Sequence, residues 1–503
     1  MTTKISDLID LIEREKDYKM RASDNRIRQS WMSWLHVVCA VFVLGGDKVH
    51  AGTNGIVYLA DQEVDGRYEL YHTDVKTSTI TKLSGALVAN GTVDWFVTDA
   101  KGKNVVYLAD QDTDDVYELY KTDLKSSSVV KLNPPLVTDG DVDDFLIDAK
   151  GKSVFYTADQ DTDGVDELYQ ADLRTSSVRK LNGPLVAGGE VQYFAVDPTG
   201  KSVAYVADQD TDEVYELYRV DLKTGNVTKI NDPLVANGSV DYVIGFDPKG
   251  KSIAYVADQD TDEVFELYRA DLKTGLVAKV NGPFVSGGNI DGAQFDSKGK
   301  SIVYIADQDV DGTYELYRRD FKTSTVAKVN GPLITDGDVF NFAIDPKGTT
   351  IYYRADQDTD GQYELFKRDL KTSATVKISG PLVAGGEVLY GFRLDPKNKS
   401  LVYAADQEVN DLNELFQVDL KTGSVTKLNP PLVVNGDVLS NQVHFDSTGR
   451  YVSYYAYQDQ DDVGEVFQVD LKTGEVIQLS APMVTNGDVY SFIALGGTPP
   501  LLD

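Results

Sequence analysis

Nine times along this chain the same phrase returns: Ala, Asp, Gln, a short acidic turn, then Glu-Leu-Tyr or a close variant. One copy reads Ala207-Asp208-Gln209-Asp210-Thr211-Asp212-Glu213-Val214-Tyr215-Glu216-Leu217-Tyr218. The turns begin at Asp61, Asp110, Asp159, Asp208, Asp258, Asp307, Asp356, Asp406 and Tyr457, at spacings of 49 to 51 residues. A fixed period of that length means an array of one supersecondary unit, each copy completing the core of its neighbours.

Within one unit, residues 191–197, 202–207, 215–222 and 227–230 are short runs rich in Val, Tyr, Phe, Leu and Ile, and they predict four strands. Turns rich in Gly, Pro, Asn and Asp separate them, such as Asp197-Pro198-Thr199-Gly200-Lys201. Nine dipeptides, from Asn90-Gly91 and Asp139-Gly140 to Asn486-Gly487, put Gly after Asn, Asp or Gly, and positive φ is expected at these glycines. Runs such as Ser252-Ile253-Ala254-Tyr255-Val256-Ala257 are apolar on both faces, as a sheet packed on both sides requires. Four-stranded antiparallel sheets of this size, stacked face to face, make an all-β propeller. A β-solenoid is the competing array, but its coils run shorter and lack four turn signals per period.

The first acidic turn is preceded by one strand only, residues 56–60, and the missing innermost strand appears at residues 489–495. The expected fold is therefore a β-propeller of nine four-stranded antiparallel blades, the ring closed by the C-terminal strand so that two sheet edges disappear. Nine exceeds the usual four to eight. The longer repeats carry their extra residues in the innermost strand, at 240–246, 388–394 and 438–445, where bulges lining a wide channel are expected.

Two domains are expected: an N-terminal segment, 1–51, with a signal peptide, and the propeller, 52–503. Residues 34–46 are apolar, with Arg21, Arg26 and Arg28 before them and Val49-His50-Ala51 after, the pattern of a cleaved secretory signal rather than a membrane span. A cytosolic helix followed by a buried apolar segment is the alternative for this stretch. Cleavage after Ala51 removes Cys39, the single cysteine, and leaves no thiol for a disulfide. A periplasmic or extracellular location follows. The chain has 49 Lys and Arg against 80 Asp and Glu, a net charge of −31, which disfavours nucleic acid and anionic membrane as partners. The charges also sort by turn: acidic turns fall on one rim, while Lys76, Lys125, Arg174, Lys223, Lys273, Lys322, Lys371, Lys421 and Lys472 fall on the other. That arrangement makes a disc of two unlike faces, unless those lysines serve only to keep the turns soluble.

Counted from its first Asp, a typical acidic turn has carboxylates at positions one, three, five and nine. The sets are Asp61, Glu63, Asp65 and Glu69; Asp110, Asp112, Asp114 and Glu118; Asp159, Asp161, Asp163 and Glu167; Asp208, Asp210, Asp212 and Glu216. They continue with Asp258, Asp260, Asp262 and Glu266; Asp307, Asp309, Asp311 and Glu315; and Asp356, Asp358, Asp360 and Glu364. Hard calcium takes oxygen ligands from a loop of this kind, so calcium is the expected cofactor and these are its expected ligands. Four carboxylates about 5 Å apart repel by roughly 0.8 kcal/mol per pair even in water, a cost that a cation offsets. The pattern resembles the calcium loops of integrin-type propellers. The competing reading is that the Asp side chains close tight turns by bonding backbone N–H groups. The eighth turn departs from the pattern with Glu408 and Asn410, and the ninth with Tyr457 at position one.

Asp247-Pro248-Lys249-Gly250-Lys251-Ser252-Ile253-Ala254-Tyr255, then Ala257-Asp258, then Glu266-Leu267-Tyr268 resembles the TolB-type, WD40-like propeller repeat of bacterial exported proteins. The resemblance spans essentially residues 52–503. It implies a propeller and export, and identifies the repeat rather than a role. TolB carries an additional α/β domain and dipeptidyl peptidases a hydrolase, and neither has a counterpart in these repeats.

Residues 52–503 hold two histidines, His72 and His444, in different repeats, and no Gly-x-Ser-x-Gly or His-Glu-x-x-His motif. Equivalent acids recur in every repeat, whereas catalysis needs one repeat to differ. The repeats that differ most are the eighth and ninth, with Arg393, Asn441, Gln442, His444 and Tyr457. The expected function is a non-enzymatic binding module for a protein or carbohydrate partner. A channel-sited hydrolase or lyase using acids near blades eight and nine is the alternative, and a structural cell-surface protein a third reading. An apolar patch along segments such as Pro184-Leu185-Val186 would favour binding.

Overall fold

The computed structural model describes residues 55–495, and every regular element among them is a strand. The four runs predicted for the fourth repeat are β12 (Val191–Val196), β13 (Ser202–Ala207), β14 (Glu216–Asp221) and β15 (Val227–Lys229). They pair in that order, all antiparallel. The next repeat forms β16 (Val240–Phe246), β17 (Ser252–Ala257), β18 (Glu266–Asp271) and β19 (Val277–Lys279) in the same way. In all, 36 strands make nine four-stranded sheets. The chain is thus a nine-bladed propeller.

Closure is as expected. The last strand, β36 (Val489–Ala494), pairs antiparallel with β1 (Gly55–Ala60), setting Phe492 opposite Tyr58. β1 continues into β2 (Glu69–Asp74) and β3 (Thr79–Lys82), so blade one is built from both ends of the described chain. The proposed signal segment and Cys39 lie outside the described residues.

The two-sided apolar strands pack as the pleat dictates. Ile253, Tyr255 and Ala257 face blade four, beside Val206 and Leu217, while Ala254 and Val256 face blade six, beside Ile302 and Tyr304. Every blade also stacks one ring of its second strand on one of its third, as Tyr255 on Tyr268 with centroids 5.6 Å apart.

The recurrent Gln has a joining role. Gln308 Oε1 accepts the Tyr304 hydroxyl at 2.8 Å and the Gly282 N–H of the preceding blade at 2.8 Å. The same glutamine side chain takes an N–H of the preceding passage in blades two, four, six and seven.

One expectation needs correcting. In the passages between blades positive φ falls on the first residue of each dipeptide, for example Asn90 (φ 64°) and Asp139 (φ 63°), not on the glycine that follows. Gly91 is needed for a different reason: a Cβ there would sit 2.8 Å from the Asp110 carbonyl oxygen.

On the opposite rim, lysines of the turn between the first and second strands reach the next blade. Lys249 Nζ donates to the Lys298 carbonyl at 2.8 Å, and Lys298 Nζ to the Lys347 carbonyl at 2.6 Å, each reaching one blade onward.

Candidate functional site

The acidic turns are held by their first aspartate. Asp258 is 3% exposed and accepts the Ser239 N–H at 2.5 Å and the Glu263 N–H at 3.1 Å, fastening the incoming passage to the turn. Asp61, Asp110, Asp159, Asp208, Asp307 and Asp356 make the same pair of bonds. Position six takes positive φ in every turn, from Gly66 (73°) to Glu263 (59°) and Asp462 (58°), and in turns one to eight its N–H donates to the first aspartate.

Positions three and nine meet a different group. In blade two, Lys131 Nζ lies 2.7 Å from Asp112 and 2.5 Å from Glu118. In blade one, Lys82 bridges Glu63 at 3.2 Å and Glu69 at 2.5 Å. Lys180 joins Asp161 to Glu167, Lys229 joins Asp210 to Glu216, Lys279 joins Asp260 to Glu266, and Lys328 joins Asp309 to Glu315. Lys377 joins Asp358 to Glu364, and Lys427 joins Glu408 to Glu414. Each of these lysines ends a fourth strand, and the ammonium of Lys131 also lies 5.6 Å over the Tyr120 ring. The lysine hydrogen bond holds Asp210 below the usual carboxylate range. Burial alone would lower the pKa of Lys229, but its bonds to Glu216 and Asp210 raise it.

Position five stays on the surface. Asp114 accepts the Asn90 side chain at 3.2 Å, Asp65 that of Asn486 and Asp262 that of Asn237, both at 3.4 Å. Asp163, Asp212, Asp311 and Asp360 are likewise exposed. The four carboxylates assigned to one ion are therefore divided among backbone N–H groups, a lysine and solvent, whereas calcium needs six to eight oxygens converging on one point. Among the described residues one set of acids does converge, Asp110, Asp114 and Asp115 in the second turn, with ligand atoms within 4.8 Å of one another. The sequence carried a signal for the lysine: it recurs 13 residues after each position-nine Glu until Gln478 breaks the series.

The channel mouth is where the blades cease to be equivalent. The innermost strands are β36, β4 (Val93–Thr98), β8 (Val142–Ile147), β12, β16, β20 (Ile290–Phe295), β24 (Val339–Ile344), β28 (Val388–Leu394) and β32 (Val438–Phe445). Each begins with a bulge at the acidic-turn rim, not only the three long ones, and the long ones bulge further. The residue of the first bulge leans into the channel: Asp94, Asp143, Gln192, Asp241 and Asp291 in blades two to six, Phe340 in blade seven and Tyr490 in blade one. In the wider bulges of blades eight and nine the exposed residues are Tyr390 and Asn441.

These aspartates are walled in by neighbouring strands. Burial, then the charge of the turn aspartate beneath, raises the pKa of Asp94, Asp241 and Asp291. Asp143 is raised well above the usual range by burial and by Asp166, with which it shares a hydrogen bond, and burial pushes Asp144 up to about 6.

The other arc is aromatic. Phe340, Tyr390 and Tyr490 are 46%, 40% and 47% exposed, whereas every other aromatic ring among the described residues is buried or half-buried. Phe340 stands edge-on to Tyr363 at 5.3 Å, and buried Arg354 lies 3.9 Å above the Tyr363 ring while pairing with Glu387 at 2.8 Å. Between the two arcs Gly292 leaves a notch, since a Cβ there meets nothing within 4 Å. Trp95, Tyr193 and Tyr242 stand at that position in blades two, four and five.

The residues singled out in blades eight and nine do lie together, as links between strands. Arg393, 4% exposed, donates to the Val443 carbonyl at 3.0 Å and the Asn441 carbonyl at 3.3 Å. Gln442 donates to the Tyr490 carbonyl at 3.0 Å. His444 is 1% exposed, its ring edge-on to Phe492 at 4.9 Å. Tyr457 packs edge-on against Tyr455 at 5.5 Å. Around the acidic rim Pro184 is exposed and Leu185 and Val186 half-buried, and Val434 is 84% exposed.

No family model and no curated protein matches this chain. Among solved structures, dipeptidyl peptidase 4 of Porphyromonas gingivalis aligns with 81% of this chain and 65% of its own, at 12% identity and a TM-score of 0.54. TolB of Acinetobacter baumannii aligns with 54% of this chain and 62% of its own, at 18% identity and a TM-score of 0.31. An oligogalacturonate lyase in complex with manganese aligns with 73% of this chain and 98% of its own, at 14% identity and a TM-score of 0.43. This chain thus spans less than two thirds of the length of the first two. What the likeness to the peptidase carries over is architecture, and by its nine sheets and closing strand this chain is a nine-bladed β-propeller.

Proposed function

We propose that this protein is an exported, non-enzymatic binding module that seats a protein partner on its acidic rim, centred on the channel mouth. The observation that carries this reading is the broken symmetry of the bulge residues. Exposed Phe340, Tyr390 and Tyr490 form an apolar arc opposite the carboxylates of Asp94, Asp143, Asp241 and Asp291. Aromatic anchors beside a field of one sign suit a partner surface carrying apolar and basic side chains. The partly exposed Pro-Leu-Val segments extend the same rim outward. The hydrolase or lyase reading looked to His444 beside acids, but that ring is packed against Phe492 rather than opening on the channel, so it gains no support there. Lysines, in this reading, do for eight acidic turns what calcium was expected to do.

The test is capture of partners from the exported fraction on the wild-type protein and on Phe340→Ala/Tyr390→Ala, followed by titration of the purified partner. The double variant is expected to bind at least about tenfold more weakly, a loss of about 1.4 kcal/mol or more. Gly292→Trp, whose Cβ enters open space and whose equivalent in blade two is Trp95, is expected to weaken binding while leaving the melt unchanged. Binding is also expected to weaken with salt and as pH falls, because carboxylates with raised pKa take up protons first. Equal binding by all three proteins, or capture of a glycan instead of a protein, would overturn the assignment.

A further inference from the structure

Eight blades hold a lysine ammonium between the position-three and position-nine carboxylates, and in blades two to six that ammonium also lies over the face of the tyrosine ring on the third strand. Blade nine keeps the three walls of this cage, as Asp459, Glu465 and Phe467, and loses the ammonium. Its fourth strand, β35 (Val476–Gln478), ends in Gln478, whose Nε2 donates to Glu465 Oε1 at 2.6 Å but brings no charge. Phe467 has no hydroxyl to offer Glu465, whereas Tyr268 gives one to Glu266. Glu465 is 3% exposed, and burial together with the charge of Asp459 raises its pKa. The cage also opens outward. A cleft of about 530 Å³ lies between blades eight and nine, lined by Asp459, Phe467 and Gln478 with Asn429, Pro430 and Lys427 opposite, the last paired with Glu408 and Glu414 of its own blade. The equivalent cleft between blades two and three, which Lys180 lines, is about 410 Å³.

We propose that this cleft is a binding site for an external primary alkylammonium group, which enters the place a lysine fills in the other blades. An acidic pair alone would not say so. What identifies the ligand is that the same carboxylate pair holds an ammonium eight times elsewhere in the molecule, in five of them with an aromatic ring face as the third wall. The aromatic wall favours that choice over a divalent metal, because a ring face attracts an alkylammonium and offers no oxygen for coordination. Free diamines and the lysine side chain of a partner protein share this chemistry. The site is separate from the channel mouth and stands or falls independently of the function proposed there.

The experiment follows the melt and the heat of binding of the protein with cadaverine, with Nα-acetyl-lysine methylamide, with 1-butanol and with calcium. Both amines are expected to bind and raise the melt, while the alcohol and calcium leave it unchanged. A preference of at least about tenfold for the lysine derivative assigns the site to a protein side chain, and the reverse preference to a free diamine. Gln478→Lys is expected to melt higher than wild type and to lose the response to amines. Glu465→Gln, which keeps the shape and removes one charge, is expected to lose the amine response as well, and it decides the matter should the lysine variant misfold. A melt indifferent to amines, an equal response in wild type and Glu465→Gln, or a response to calcium alone would overturn the proposal.

Discussion

A Phe492→Asp chain is expected to lose the cooperative melt of the wild type. Phe492 sits on the closing strand, 3% exposed, opposite Tyr58 and packed with Ile56, Tyr455 and Val466 at the junction of blades nine and one. Truncating a buried Phe costs about 3–5 kcal/mol. An unpaired carboxylate left in an apolar site adds several kcal/mol more, so the sum is of the order of a whole domain's stability. Release of β36 also bares the edge of β1, all six residues of which are buried. An unpaired edge recruits other chains. Size-exclusion chromatography should therefore show association alongside the lost melt. Phe492→Leu, which keeps most of the apolar volume, should melt only a few degrees lower. A monomeric Phe492→Asp protein with a wild-type melt would mean that β36 does not close the ring.

Asp258→Ala should be nearly as damaging, for a polar reason. This carboxylate accepts two backbone N–H groups, from Ser239 and Glu263, and is buried, 3% exposed. Each donor left unsatisfied costs about 1–3 kcal/mol, giving a loss of about 2–5 kcal/mol. Asp258→Asn keeps one acceptor oxygen and should lose about half as much, by chemical denaturation of both variants. In blade nine Tyr457 replaces that aspartate, and the Tyr455 ring packs against it and occupies the space beside Gly464. Gly464 has no room for a Cβ because the Tyr455 ring occupies its place.

Fold and site differ in how far the residues alone reveal them. Strand limits came through within a residue or two because alternate faces of strands such as β17 pack on different blades, and a run buried on both faces is conspicuous in sequence. Closure was visible because one half-repeat at each end completes the other. The partners of the acids were not visible. Lys279 reaches Glu266 and Asp260 only through the register of β18 and β19, so a lysine 13 residues away reads as a solvated strand end until the strands are paired. The glycine at position 91 was misread because a demand for space and a demand for positive φ select the same residue. The arcs at the channel mouth needed knowledge of the bulges: Asp241 and Phe340 occupy equivalent positions, and only the break in pairing shows that they lean into the channel.

The account turns on lysine, rather than a metal ion, neutralising the acidic rim. Calorimetric titration of the protein with calcium, with the melt followed in excess chelator, tests this directly. The predicted result is no saturable heat across the repeated turns and a melt that chelator does not move. Heat corresponding to several calcium ions per chain, with a melt that falls by many degrees in chelator, would contradict it.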